Sequence, residues 1–295
     1  MSLLAPTADP LTARPAAERP AYATGMLLDA RDFSDEQTYH RNRLARGLGA
    51  VTGGGTLAGL RIEHVAAGAE GPEQLTLHPG LAIDRLGRLI ELPRPACLRL
   101  PAWWDAVFAG DGGDTLRRAS YDDLGRFASA RLRAGGDPLP ARAVVADVFV
   151  RFAECPVGLT PSFAAGPFDA LNAVSTARIR DAYELRLIPR DTLGDSYTGL
   201  PLPPAAAALG DSDATPAERR DAAQDAVLAA YPRPDAPPPA ELPLALDPSA
   251  VFLGRVFVAV SGDTPPARAD SSPVVDNWGR RFLPSLALFA QWAGV

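Results

Sequence analysis

Side chains that could bind a metal or transfer a proton are few and scattered along the chain. Its three histidines, His40, His64 and His78, fall in a predicted helix and two predicted strands. A metal site needs three or four converging ligands, and only His40 has an acidic residue, Glu36, one helical turn away. One such pair on an exposed helix is typical of a polar surface, so we expect no metal and no cofactor.

Motifs for nucleophilic catalysis and phosphate binding are missing from the sequence. No Gly-x-Ser-x-Gly occurs. The glycine-rich TGGGTLAG (52–59) has no P-loop lysine, and it joins a helix to a strand, whereas phosphate loops join a strand to a helix. Adjacent acids such as Asp122 and Asp123 point apart, while glycosidases need two facing carboxylates. We therefore expect that the protein is not an enzyme.

Arginines next to aromatic residues are the clearest candidates for binding. Residues 278–284 read WGRRFLP, and tryptophan, arginine and phenylalanine anchor many protein interfaces. The candidate residues there are Trp278, Arg280, Arg281 and Phe282. An equally good interpretation is a half-buried strand end with surface arginines. Arg178 and Arg180 could clamp an anion, but ion pairs on a surface or at a subunit contact fit better.

The charge balance argues against nucleic acid as a partner. The formal net charge is −6, and all 29 basic residues are arginines. An acidic protein does not attract nucleic acid or an anionic membrane through its bulk charge. The two cysteines, Cys97 and Cys155, form no Cys-x-x-Cys pair, and both free thiols and a single disulfide remain open.

From the N-terminal residues we expect neither a signal peptide nor a membrane span. Prolines interrupt every apolar run in residues 1–21, which we interpret as an extended Pro-rich arm. No apolar stretch reaches about 18 residues. We therefore expect a soluble protein that is synthesised in the cytoplasm.

A charged helix is predicted at about 30–46. Asp29 is the expected N-cap, with Asp32 completing a capping box. Acidic residues lie near the start and arginines near the end, which suits the helix dipole, and the following glycines should end the helix. One narrow, partly polar stripe runs along it, formed by Phe33, Gln37, His40, Leu44 and Leu48, with Tyr39 beside it and Arg41 nearby.

Alternation of apolar and polar residues predicts strands over 57–100, arranged as a small antiparallel sheet of about four strands. Within it, DRLGR (84–88) should form a turn, with Gly87 taking a positive φ.

The remaining residues predict a mixed module. Helices are expected at 102–110, 121–136, 215–231 and 283–295, and strands at 181–189 and 250–263. The stretch 141–154 is ambiguous but favours a strand, and the three strands should share one sheet. The Pro-rich 232–248 should be a loop. The fold class is α+β, divided into residues 1–21, 22–100 and 101–295.

Four segments in this order resemble a family encoded in gene clusters for phage-tail-like contractile injection systems and related phage tails. The first is YATGMLLDARDFSDEQTYHRNRL. The second is GLRIEHV with LHPGLAIDRLGRLIELP. The third is VFVRFAECPVGLTP with TARIRDAYELRL, and the fourth is AVFLGRVFVAV with VVDNWGRRFLP. Members continue after the first helix with a His-Gly-containing sequence where this chain has GLGAVTGGGTLAGL, and some carry further cysteines, so no metal-bound version is implied.

The resemblance implies a structural or accessory protein, present in several copies in a particle and contacting baseplate, sheath, tube or fibre subunits. The interface residues expected are Phe33, Gln37, Tyr39, His40, Arg41, Leu44, Arg178, Trp278, Arg280, Arg281 and Phe282. Two alternatives remain. One is a cell-surface glycan-binding module with Trp103, Trp104, Trp278 and Trp292 along a groove. The other is a cargo protein carried by the particle.

Overall fold

The computed structural model describes residues 18–69, 71–135, 138–161, 174–191, 213–229, 246–247, 249–262 and 265–294. It combines helices with antiparallel sheets, which confirms the α+β class. Most of the predicted arm and of the loop at 232–248 lies outside the described residues.

The first helix, α1, spans Ala30–Thr52. The predicted start and the Asp29–Asp32 capping box are confirmed, whereas the end predicted at 46 is wrong. Gly47 and Gly49 remain helical, and the chain leaves the helix at Gly53 (φ 66°). The glycines do not end α1 earlier because its second half packs closely on the sheet that follows.

Six short strands follow α1 and form two three-stranded sheets, not the single four-stranded sheet predicted. One sheet has the order β1-β4-β5 and the other β2-β3-β6. The strands are β1 Gly55–Gly59, β2 Ile62–Val65, β3 Gln74–Leu77, β4 Gly80–Ile83, β5 Leu89–Leu92 and β6 Ala96–Arg99. The chain changes sheet at Gly59 and Leu60, which both have positive φ (61° and 55°). This corner divides one apparent strand into two, since the backbone cannot continue a flat ladder through two such residues.

The second half of the chain builds a six-stranded antiparallel sheet around β8 and β10. The predicted sharing of one sheet by the three long strands is confirmed. Strand β10 pairs with β8, β11 and β12, and β8 pairs with β10, β7 and β9. The strands are β7 Ser120–Tyr121, β8 Ala143–Pro161, β9 Val174–Pro189, β10 Val251–Ser261, β11 Ala267–Arg268 and β12 Val274–Asp276.

Five further helices occur among the described residues: α2 Leu100–Asp111, α3 Asp114–Arg118, α4 Ala130–Ala134, α5 Pro216–Ala229 and α6 Leu286–Ala293. The single helix predicted over 121–136 is wrong. Residues 120–121 pair with β8, Leu124–Arg126 form a 3₁₀ turn, and Ser129 caps α4 through its hydroxyl. The apolar residues assigned to that helix, including Phe127 and Leu132, are nevertheless buried together.

The two halves of the chain share one hydrophobic core. Leu60, Ile62 and Leu77 from the small sheets pack in the same cluster as Val148 and Leu253 from the large sheet. Residues 143–150 of β8 and 251–260 of β10 read as nearly continuous apolar runs because both faces of the sheet are covered there. The small sheets are therefore held on a rigid platform.

A buried arginine–aspartate–arginine cluster crosses the large sheet. Arg255 donates from Nε to Asp147 Oδ1 (2.7 Å) and from Nη2 to Oδ2 (3.0 Å). The Arg190 Nε lies 3.2 Å from Asp147 Oδ2, and all three side chains are essentially inaccessible to water. Asp147 accepts two hydrogen bonds from Arg255 and forms an ion pair with Arg190, and such pairing is the condition for tolerating buried charge.

Candidate docking surface on the N-terminal helix

Helix α1 rests on the turn between β4 and β5. The Asp84 Oδ1 accepts the amides of Leu86 and Arg88, each at 2.9 Å, and Gly87 takes a φ of 86° as predicted. A Cβ at Gly87 would lie 1.7 Å from the Ala45 carbonyl oxygen. The turn DRLGR therefore serves as the seat of α1, and only glycine permits so close an approach.

The Asp84–Arg88 turn is tied to the large sheet by polar contacts. Arg88 donates from Nη2 to the Ser249 hydroxyl (2.7 Å), and that hydroxyl donates to Asp247 (2.7 Å). Burial raises the pKa of Asp84 despite its bond to Arg88. Burial would also raise the pKa of Asp247, but hydrogen bonds from Ser249, the charge of Arg88 and a hydrogen bond from Arg151 hold it below its ordinary value.

The side of α1 that faces the protein is narrow. Only Asn42 and Ala45 are buried among its 23 residues, and Arg41 reaches Glu154 at the base of the long β8–β9 hairpin (2.8 Å). The buried face of α1 is therefore thin, and it is not the stripe of Phe33, Gln37, His40 and Leu44. The side that carries Gly49 packs closely against Gly87 of the sheet instead.

The opposite side of α1 carries an exposed seam, which we call the outward seam. Its six residues are Phe33, Gln37, His40, Leu44, Gly47 and Val51, and all are exposed. Phe33, Leu44 and Val51 are 51%, 67% and 85% exposed. The spacing of four, three, four, three and four residues is the heptad spacing by which one helix packs on another. Sequence reasoning missed Gly47 and Val51 because α1 was expected to stop before them.

Residues ahead of α1 extend this apolar surface. Met26, Leu27 and Leu28 are all exposed, Leu27 almost completely. The Tyr22 hydroxyl donates to Glu36 Oε2 (2.7 Å) and so holds the preceding segment to the first turns of α1. That hydrogen bond to Glu36 raises the pKa of Tyr22 above its ordinary value. The outward seam and this segment together make up the candidate surface.

Tyr39 and Leu48 lie beside the outward seam and not in it. Both are half-buried. The Tyr39 ring contacts His40 edge to face (5.4 Å between centroids) and receives the Arg43 guanidinium at 5.3 Å. Tyr39 therefore supports the flank of the seam.

The predicted interface at 278–284 is in large part an internal clamp. Arg280 is 4% exposed, donating from Nη1 to the Leu60 carbonyl (2.5 Å) and from Nη2 to Asn277 Oδ1 (2.6 Å). The Asn277 amide in turn exchanges two hydrogen bonds with the Ile62 backbone. Burial lowers the pKa of Arg280 to about 10. The prediction of Arg280 as an accessible interface residue is therefore wrong, because the Leu60 carbonyl and two oxygens of Asn277 accept hydrogen bonds from its guanidinium.

The neighbours of Arg280 are partly exposed. The Arg281 carbonyl accepts from the Thr56 amide (2.9 Å), and the Leu283 amide donates to the Thr56 carbonyl (2.8 Å), so this segment extends the β1 edge. Phe282 remains half exposed, and Trp278 is 41% exposed beneath the Arg131 guanidinium (3.6 Å).

Arg178 lies on the β8–β9 hairpin and not in the segment 278–284. It pairs with Val157, and Arg180 pairs with Cys155. Because residues two apart in a strand share a face, both arginines lie on one face of this exposed ribbon. Cys155 and Cys97 are free thiols.

The four tryptophans do not share a groove. Trp104 belongs to the core, and Trp103 packs against it and donates from Nε1 to the Leu187 carbonyl (2.8 Å). Trp278 stacks on Arg131. Trp292 lies on α6, an apolar helix exposed along most of its length. Trp103 and Trp104 therefore do not line an exposed groove of the kind that a glycan-binding surface requires.

A polar cleft of about 480 Å³ opens beside β2 and β11. The His64 Nε2 lies 2.8 Å from Glu73 Oε1, and Arg268 bonds the same oxygen. Burial alone would raise the pKa of Glu73, but the bonds from Arg268 and His64 hold it below its ordinary value. Within the described ranges, no three potential ligands group as a metal site would require. His64 and Arg268 both contact Glu73, so these side chains join the β2-β3-β6 sheet to β11 of the large sheet.

No protein-family model matches this chain, and no curated protein matches its sequence significantly. Among the described helices, none combines the length and apolarity needed to cross a membrane.

Proposed function

We propose that this protein is a structural or accessory component of a phage-tail-like contractile injection particle. It is synthesised in the cytoplasm and docks on baseplate or other tail subunits through its N-terminal segment and α1. Several copies are built into each particle, and the role is non-enzymatic. The segments quoted in the sequence analysis indicate the class of particle, and the outward seam is the surface through which the protein would dock.

The observation that carries the proposal is the exposed heptad spacing of α1. One side of α1 is fixed to its own protein, and the other side carries Phe33, Leu44 and Val51. A neighbouring subunit would cover this apolar area. The long β8–β9 hairpin adds a second extended element. Such protruding elements suit subunits that act within an assembly.

The motif residues shared with the resembling family support a scaffold role. Asp84, Gly87 and Arg88 build the seat of α1, while Asn277 and Arg280 clamp the small sheets. These polar residues bond mainly to the chain's own backbone and carboxylates. Their spacing is thus explained by the presentation of α1, without a substrate.

The test is quantitative mass spectrometry of particles purified from a host that encodes the gene. We expect a constant ratio of this chain to the tube and sheath proteins. Leu44→Arg should deplete the chain from particles at least about tenfold, since a charge in an apolar contact is strongly unfavourable.

The matched control is Val227→Arg on α5, where the side chain is 76% exposed. This variant should be incorporated normally. A variable, substoichiometric amount of wild type would overturn the proposal in favour of cargo, and complete absence would overturn it in favour of a free binding protein.

A further inference from the structure

We infer that α1 pairs antiparallel with α1 of a second copy of this chain, forming a two-fold symmetric dimer through the outward seam. The inference deepens the proposed function by naming a second copy of this chain as the neighbouring particle subunit that covers the outward seam, and it rests on that proposal for its biological setting only. The pairing itself is a property of the isolated chain.

The outward seam is self-complementary when two copies run in opposite directions. With the two-fold axis between Thr38 and Tyr39, Phe33 of one copy meets Leu44 of the other, and Gln37 meets His40. In heptad terms these are the alternating layers of an antiparallel helix pair. The apolar layers enclose two amide–imidazole layers, which restrict the register because a polar pair is satisfied only when it is aligned.

The same register matches both ends of the seam. Gly47 meets exposed Ala30 of the second copy, a layer of small residues that lets the helices approach. Val51, 85% exposed, meets Met26, 42% exposed, just ahead of the second copy's helix. The apolar segment before α1 is thus covered by the end of the partner's helix.

Charge complementarity selects this register over its alternatives. Glu36 and Arg43 flank the same side of the seam, and antiparallel pairing brings each Glu36 beside the other copy's Arg43. The symmetric register that places Phe33 opposite Val51 would instead bring Arg43 against Arg43 and Arg41 against Arg41, which is repulsive.

Antiparallel pairing also suits the whole helix. The acidic half, with Asp32, Asp35 and Glu36, lies along the basic half of the second copy, with Arg41, Arg43 and Arg46. Parallel pairing would align like-charged halves. Arg41 is held by Glu154 of its own chain (2.8 Å), which leaves Arg43 as the cation facing outwards.

The experiment is sedimentation equilibrium and light scattering on the purified full chain from about 1 to 100 μM, spanning ordinary dimer affinities. Wild type should be a dimer, and so should Val227→Arg. Leu44→Arg should weaken association at least about 100-fold, as expected for a charge at an interface centre. Unchanged circular dichroism would show that each variant is folded.

A charge exchange tests the register. Glu36→Arg and Arg43→Glu should each weaken the dimer, and the double variant should restore it, because each new arginine again faces a glutamate. A parallel dimer would not recover, since Glu36 would then face Arg41. Failure of the double variant to recover, or a wild type that stays monomeric throughout, overturns the inference.

These outcomes are separable from those of the proposed function. A monomeric chain that is still found in particles at a constant ratio would refute self-pairing and leave docking on a different subunit. A dimer that Leu44→Arg dissociates, in a chain absent from particles, would keep the inference and refute the particle role.

Discussion

Helix α1 and the segment from Asp276 to Leu283 carry similar side chains, arginines beside aromatic and polar residues, but the fold treats them in opposite ways. Only Asn42 and Ala45 of α1 are buried, whereas Asp276, Arg280 and Leu283 are nearly inaccessible. The difference lies in the neighbours of the guanidinium groups. Arg280 finds a carbonyl and an amide of its own chain, while Arg43 lies on an open helix surface.

Residue type alone therefore does not distinguish an interface from an internal clamp. A buried guanidinium requires acceptors in fixed positions, and the corner at Gly59 and Leu60 places the Leu60 carbonyl where Arg280 can reach it. A helix already satisfies its own backbone, so the side chains of α1 are free to face outwards.

The largest effect should come from removing the carboxylate between two buried arginines. Asp147→Ala should lower the free energy of unfolding by about 4 kcal/mol, because Arg190 and Arg255 lose their shared counter-charge. Urea denaturation measures this loss. The control Asp122→Ala removes an exposed partner of Arg142 and should cost well under about 1 kcal/mol; equal losses would contradict the assigned role of the buried cluster.

Arg280→Ala sharpens the comparison directly. We expect a loss of about 3 kcal/mol, since the Leu60 carbonyl and Asn277 amide lose a charged donor. The exposed neighbour provides the control, and Arg281→Ala should cost about 1 kcal/mol or less. If Arg280→Ala leaves stability unchanged but abolishes binding to another subunit, the clamp is an interface after all.

Gly87→Ala tests the seat of α1. The φ of 86° and the clash with the Ala45 carbonyl should together cost about 2 kcal/mol. Hydrogen exchange should show selective loss of protection in α1. Gly110→Ala, where a Cβ meets nothing, should be neutral or slightly stabilising; loss of protection spread evenly over the sheets would argue against the seat.

Glu73 should contribute to acid sensitivity. Because its folded pKa is lowered from the ordinary 4.5, its stabilisation is present above that value and declines as the pH falls through the folded pKa. Glu73→Gln should cost about 1 kcal/mol at neutral pH and nothing at low pH, when both forms are uncharged. Asp84, with a raised pKa, acts in the opposite sense, so thermal melts of the variant and wild type are compared at each pH. If the melting temperatures of wild type and Glu73→Gln change in parallel with pH, the stabilising role assigned to Glu73 is refuted.

The smallest effect is expected at Phe282. Its side chain is half exposed although its backbone is paired, so Phe282→Ala should change the free energy of unfolding by no more than about 0.5 kcal/mol. A loss as large as that of Arg280→Ala, measured in the same denaturant titration, would place the phenyl ring within the clamp.

Local patterns predicted much of the fold. The Asp29 cap, the Gly87 turn and the helix α5 form through contacts between near neighbours, and apolar or alternating runs indicated the strands β8, β9 and β10. The failures share a cause. The division of the small strands into two sheets and the broken helix at 121–136 depend on pairing with distant strands.

The candidate docking surface was predicted only in part, because its C-terminal end depends on a contact between distant residues. Spacing within α1 revealed Phe33, Gln37, His40 and Leu44, but the glycines concealed the continuation to Val51. Close packing against Gly87 keeps Gly49 helical, and that contact joins residues almost forty positions apart. Propensity alone cannot anticipate it.

The sequence by itself determined the class of fold, the charged helix with its cap, and the turn DRLGR, because caps, turns and periodicity act over a few residues. Tertiary structure alone decided which side of α1 faces water and that Arg280 is buried. Both depend on where a distant backbone carbonyl lies: that of Ala45 against Gly87, and that of Leu60 beneath Arg280. Such positions are fixed only when the two halves of the chain close on one core.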